Sequence, residues 1–204
     1  TEWPVTSVEW YRNEEPNNIL ILGTGMYALD SKLPQARLEF WDTEGEEPSL
    51  LESVAITGCH VDAIFSDQKS SRIYVYSGIK SQKRGFLTVL DQSSLLPIAI
   101  ADFPWWGARS IDVVGDTIIL RFTDSIQAIS IDSWRPRWHR DLSEELSKMP
   151  GYVLDCAFSS DLKGMLLSNS EVVSLNDGET QFHLPPLEKC GELITLGEIG
   201  RAHV

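Results

Sequence analysis

Long apolar runs are missing from this chain. Its longest stretches, Ile19-Leu20-Ile21-Leu22 and the segment from Leu95 to Ala101, are a handful of residues each, far short of the roughly 20 that a membrane-spanning helix needs. Cysteine is scarce as well. Cys59, Cys156 and Cys190 stand far apart with no CxxC pair, which argues against a disulfide framework or a thiolate metal site and makes a reducing compartment, cytoplasmic or nuclear, the expected setting. The four histidines, His60, His139, His183 and His203, show no metal-ligand spacing, and no GxSxG elbow is present. No metal or cofactor is expected. Positive charge is in the minority: 17 Lys and Arg face 30 Asp and Glu, a net charge of -13. The field of such a molecule repels phosphate backbones and anionic lipid surfaces, so neither nucleic acid nor a membrane is expected as a partner.

Helical periodicity is also nearly absent. Asp141 to Met149 is the exception, with good helix formers, acids near its start and Lys148 near its end, before Pro150-Gly151 stops it. What fills the rest is short strand-like runs bounded by turn residues. Leu38-Glu39-Phe40-Trp41-Asp42, Leu87-Thr88-Val89-Leu90-Asp91, Ala128-Ile129-Ser130-Ile131-Asp132 and Val172-Val173-Ser174-Leu175-Asn176 are apolar runs closed by an acid or amide. They recur every 40 to 50 residues or so, the period of one β-propeller blade.

Each period divides into four candidate strands. The first holds Val5–Trp10, Ile19–Gly23, Arg37–Trp41 and Leu51–Ile56, and the second Val61–Ser66, Arg72–Ser77, Phe86–Leu90 and Pro97–Ala101. The third holds Ser110–Val114, Thr117–Phe122, Ser125–Ile131 and Pro136–Arg140, with Gly115-Asp116 as a tight turn. Val153–Ser159, Gly164–Leu167, Glu171–Leu175 and Thr180–Leu184 complete the fourth. The expected fold is all-β: β-propeller blades, each a four-stranded antiparallel meander, in a fragment of a larger propeller. Phe40, Val89, Ile129 and Val173 are expected inter-blade core, and Asp42, Asp91, Asp132 and Asn176 turn residues.

The ends are read with the same expectation. Thr1 runs almost directly into strand-like sequence without an initiator methionine, as in a chain cut from a longer protein. Ile199-Gly200-Arg201-Ala202-His203-Val204 is the translation of ATCGGAAGAGCACACGTC, part of a widely used sequencing adapter, so residues 199–204 are expected to be a non-native tail behind a single partial domain, 1–198.

Pro4 to Trp10 followed by Leu38-Glu39-Phe40-Trp41-Asp42 resembles the first and third strands of a WD-repeat blade. Ala63-Ile64-Phe65-Ser66-Asp67 and Cys156-Ala157-Phe158-Ser159-Ser160-Asp161 are similar to that family's first-strand ending. The likeness spans residues 3 to 185, with one Trp-Asp pair and no Gly-His dipeptide at the family's spacing. It implies a scaffold that binds partner proteins and brings no catalytic residues.

Two stretches imitate catalytic motifs. Ile19 to Leu22 leads into Gly23-Thr24-Gly25-Met26-Tyr27-Ala28, a GxGxxA fingerprint with Asp42 roughly 20 residues on, as in dinucleotide-binding oxidoreductases. Pro34 sits inside the only helix that could follow, and no strand–helix alternation comes after it. The bland alternative is a loop carrying Met26, Tyr27 and Leu33. His139-Arg140-Asp141-Leu142 echoes a kinase catalytic loop but lacks its asparagine, its glycine loop and its Asp-Phe-Gly. A propeller hydrolase stays open as an alternative on general grounds.

The candidate binding residues lie where the repeat is interrupted. Trp105, Trp106 and Arg109 fall in Phe103-Pro104-Trp105-Trp106-Gly107-Ala108-Arg109, between the second and third units. Trp134, Arg135, Arg137 and Trp138 alternate aromatic and basic character in the third. Tryptophan and arginine dominate interface energetics, and loops on a rigid scaffold carry recognition. One of Trp105 and Trp106 could instead close the core, and Lys80, Lys83 and Arg84 read as a soluble basic turn.

Overall fold

The computed structural model describes residues 4–12, 18–25, 36–148, 154, 156–159, 161, 163–167 and 170–184. The expected loop at Met26, Tyr27 and Leu33, Cys190 and the 199–204 tail lie outside them. Among the described residues are sixteen strands and one short α-helix, α1 (Ser143–Ser147). The strands form four four-stranded sheets with every neighbour antiparallel and in chain order, the meanders expected from the period.

Sheet 1 holds β1 (Val5–Arg12), β2 (Asn18–Thr24), β3 (Ala36–Asp42) and β4 (Ser49–Ile56); sheet 2 holds β5 (His60–Asp67), β6 (Arg72–Ile79), β7 (Arg84–Asp91) and β8 (Pro97–Phe103). In sheet 3 are β9 (Ser110–Val114), β10 (Thr117–Arg121), β11 (Ser125–Ser130) and β12 (Pro136–Asp141), and in sheet 4 β13 (Cys156–Phe158), β14 (Gly164–Leu167), β15 (Glu171–Ser174) and β16 (Thr180–His183). The chain forms two compact units, Thr1–Asp112 and Val113–Val204.

In the first unit, sheet 1 lays Ile21, Ala36, Leu38, Phe40 and Ile56 onto Val61, Ile64, Ile73, Val75 and Leu90 of sheet 2. Alternation along each strand explains the choice: residues two apart share a face, so Leu38 and Phe40 meet sheet 2 while Glu39 and Trp41 point the other way. In the second unit Ile126, Ala128 and Trp138 of sheet 3 pack with Met165, Leu167 and Val173 of sheet 4. Each Val, Leu, Ile, Phe or Met side chain among them contributes roughly 1.5–3 kcal/mol when fully buried. The helix caps this unit, its start fixed by Asp141 Oδ1, which accepts the Ser143 N–H at 2.9 Å, and by buried Leu142.

The third-to-fourth-strand hairpins show how the sheets correspond. Leu95 N–H donates to Asp91 O, Trp134 N–H to Ser130 O and Gly178 N–H to Ser174 O, while Asp91, Ser130 and Ser174 donate back to Leu96, Arg135 and Glu179. Leu95, Trp134 and Gly178 all take positive φ, 55°, 56° and 74°. Asp91, Ser130 and Ser174 are therefore equivalent. Asp132 and Asn176, expected as counterparts of Asp91, lie two residues further on, inside the turn. The carboxylates of Asp42 and Asp91 accept backbone N–H groups of their own turns, and in the other two sheets the hydroxyls of Ser130 and Ser174 do so.

The third strands shift register by one residue at Phe40/Trp41, Val89/Leu90, Ala128/Ile129 and Val172/Val173. Phe40 thus corresponds to Val89, Ala128 and Val172. Ile129 and Val173 belong to the opposite face, because a one-residue slip reverses every side chain. All four residues expected in the core are nevertheless buried.

Candidate functional site

In the first unit the candidate loop follows β8. Phe103, the last residue of that strand, is buried and stacks between Tyr76 and Trp105, with ring centroids 6.5 Å and 5.9 Å away and planes 26° and 21° apart. The Tyr76 hydroxyl donates to the Trp105 carbonyl at 2.9 Å. Burial, then the negative charges of Asp62 and Asp102, push the Tyr76 phenol above its usual range, so it remains a donor. Gly85 makes this approach possible, since a Cβ there would lie 2.2 Å from both the Trp105 carbonyl oxygen and the Tyr76 hydroxyl.

A second anchor comes from β5. Its register shifts between Val61 and Ala63, leaving Asp62 as an extra residue whose side chain leaves the ladder. Asp62 Oδ2 accepts the Gly107 N–H at 3.2 Å, and Oδ1 lies 2.8 Å from His60 Nε2, both side chains being almost sealed from solvent. Sequence reasoning missed this pair. The signal available was His-x-Asp at alternate strand positions, but the register shift that turns Asp62 toward the loop leaves no mark in composition.

Between the anchors Trp106 is half-buried, with Lys80 Nζ 5.3 Å from its ring centre, a cation–π contact. Arg109 is exposed. Lys80 opens a turn of 3₁₀-helix, Lys80–Gln82, that ends on Lys83 in the left-handed region. Arg84 pairs with Asp102 beside it and covers Phe86. Two tryptophans and a basic turn thus share one end of sheet 2.

In the second unit the four expected residues separate. Trp134 is half-buried at the hairpin tip, and Arg135 beside it is exposed and makes no side-chain hydrogen bond or ion pair among the described residues. Arg137 is the residue passed over at the register shift of β12; it forks onto both oxygens of Asp116 and donates to Thr117 Oγ1 at 2.8 Å. The fork raises the guanidinium's pKa and lowers that of Asp116. Trp138 is buried in the core, its indole N–H on the Leu175 carbonyl at 2.9 Å. Arg140 ties sheet 3 to sheet 4 through Glu171, Thr180 Oγ1 and the Gly178 carbonyl. The His139–Leu142 echo of a kinase loop is the end of β12 and the entry to α1.

Gly23 and Thr24 of the dinucleotide fingerprint lie in β2, antiparallel to both neighbours. A Cβ on Gly23 would lie 2.6 Å from a Val61 methyl, and one on Gly25 2.3 Å from the Cys59 carbonyl oxygen. Close approach of β5 accounts for both glycines. Among the described residues no group of three or more His, Cys, Asp or Glu could hold a metal ion, and no helix is long and apolar enough to cross a membrane. No protein-family model matches the chain, and no curated protein matches it in sequence. The molecule is an all-β protein of four blade-like antiparallel sheets.

Proposed function

We propose that the chain is a protein-interaction scaffold of β-propeller type, related in design to WD-repeat proteins, and that it binds partner proteins through the loops at Trp105, Trp106 and Arg109 and at Trp134 and Arg135. The observation that carries this reading is the double anchoring of the 103–109 loop by Tyr76 and Asp62, which leaves Trp106 half-buried beneath Lys80 with Arg109 exposed beyond it. A loop ordered before it meets its partner loses little conformational entropy on binding. Trp134 and Arg135 supply a second aromatic–basic pair on a hairpin fixed by its own backbone bonds. Arg137 and Trp138 support these residues from within, one as a clamp and the other as core.

The partners are proteins; the net charge of -13 disfavours nucleic acid and anionic membranes. The scarcity of cysteine, with no CxxC pair and with Cys59 a buried thiol, fits a reducing, cytoplasmic or nuclear, setting. Affinity purification from cells tests the reading with wild type, Trp106→Ala, Arg135→Glu and the exposed control Asp124→Asn. A discrete set of proteins should be retained by the control and lost with each site variant; an identical set from all four would overturn the proposal.

A further inference from the structure

Sheet 1 has two apolar faces, of which sheet 2 covers one. On the other, cross-strand register aligns Trp10, Leu20, Trp41 and Leu50 in one row, with Val8 and Leu22 paired beside it. Trp10 is 55 % exposed, Val8 54 % and Leu50 50 %. A contiguous apolar row of this kind marks a surface built to be covered.

The chain's own sheets indicate what covers it. Trp41 holds the position that Leu90 holds in sheet 2 and Val173 in sheet 4, each placed by the same register shift. Leu90 is buried beneath sheet 1 and Val173 beneath sheet 3. In both cases the covering face belongs to the preceding four-stranded sheet and carries Phe40 or its counterpart Ala128. Sheet 4 has a face of that covering kind. Ala157, Leu166, Val172 and Phe182 align across its strands, on the side opposite Met165 and Val173. Val172 is the counterpart of Phe40, and Phe182 is 53 % exposed.

We propose that a second copy of the chain covers this surface, the Leu166–Val172–Phe182 face of one copy packing on the Trp10–Trp41–Leu50 face of the next. The contact is heterologous, two different patches meeting head to tail, and so it continues beyond a dimer into rings or filaments. It repeats between molecules the packing that already joins sheets 1 and 2 within one. This inference is independent of the loop-binding reading.

Light scattering coupled to gel filtration of the full chain, with Trp10→Lys, Phe182→Lys and their equimolar mixture, tests it. Both side chains are more than half exposed, so circular dichroism should find each variant folded. Wild type should rise from one chain mass to multiples with concentration, and each variant alone should stay monomeric. The mixture should stop at two chain masses, because Trp10→Lys keeps an intact sheet 4 face and Phe182→Lys an intact sheet 1 face. A wild type monomeric at every concentration, including one whose Trp10 is shielded from acrylamide by its own chain, would overturn the proposal. So would variants that keep associating, or a mixture that stays monomeric.

Discussion

The Tyr76 hydroxyl donates a 2.9 Å hydrogen bond to the main-chain carbonyl of Trp105, 29 residues further along the chain. One side chain in the second strand of sheet 2 thereby fixes the path of the loop that leaves the fourth. The contact depends on the missing side chain of Gly85 and on a phenol kept protonated by burial and neighbouring acids. Tyr76→Phe should destabilise the protein by about 1 kcal/mol, the net worth of an ordinary hydrogen bond. Gly85→Ala should displace the loop outright. Trp106 emission and acrylamide quenching, in a background where the other tryptophans are phenylalanine, should change more in Gly85→Ala than in Tyr76→Phe.

Arg140 and Glu171 join sheets 3 and 4, and the Glu171 carboxylate is almost completely buried. Arg140→Ala removes the counter-ion of that charge, leaving the Thr180 hydroxyl still donating to it, and should cost about 3–5 kcal/mol, whereas Arg140→Met with Glu171→Leu should recover most of the loss. Urea unfolding of wild type and the two variants measures both effects.

Trp138 separates a core role from a binding role. Its ring lies between sheets 3 and 4, so Trp138→Ala should lower stability by about 3–5 kcal/mol, while Arg135→Glu should leave the urea midpoint unchanged and affect partner recovery alone.

Asp91 accepts the hydroxyl and backbone N–H groups of Ser93 and Ser94, and these bonds, led by the Ser93 hydroxyl, lower its carboxyl from an ordinary 3.8 to about 2. A depressed folded-state value means that the ionised form favours the folded state. Its stabilisation is fully present above the unfolded value and is lost as pH falls from about 4 toward 2. Urea midpoints should therefore place wild type above Asp91→Ala at pH 7, with the gap shrinking through that window.

Much of this architecture is legible in the residues, for identifiable reasons. Ile73-Tyr74-Val75-Tyr76 has the β-branched and aromatic character of a strand, and every expected run corresponds to a strand of the structure. The helix at Ser143–Ser147 follows from formers placed before Pro150-Gly151. Faces were harder to read. The phrase ending in Asp42 or Asp91 is matched structurally by segments ending in Ser130 and Ser174, because a serine hydroxyl satisfies the turn as an aspartate does; Asp132 and Asn176 fall two residues further on, inside the turn, and Ile129 and Val173, buried as expected, lie on the face opposite the one that holds Phe40 and Val89. In the site, Trp134 and Trp138 are alike in sequence, and only packing assigns one to a hairpin tip and the other to the core. Asp62 and Arg137 act where they do because register shifts re-aim them, and such shifts depend on pairing between strands. Gly23 and Gly25 imitate a phosphate loop because tight approach to a neighbouring strand and tight approach to a phosphate select the same residue.

The central claim is that the anchored loop presents Trp106 to a partner protein. A photo-crosslinking tryptophan analogue that keeps the indole ring, placed at position 106, with the same residue at position 124 as control, tests it most directly when both are irradiated in cells and the adducts resolved by mass. Discrete heteromeric adducts formed from position 106 and absent from position 124 are the predicted result. No adduct from position 106, or the same adducts from both positions, would contradict the account.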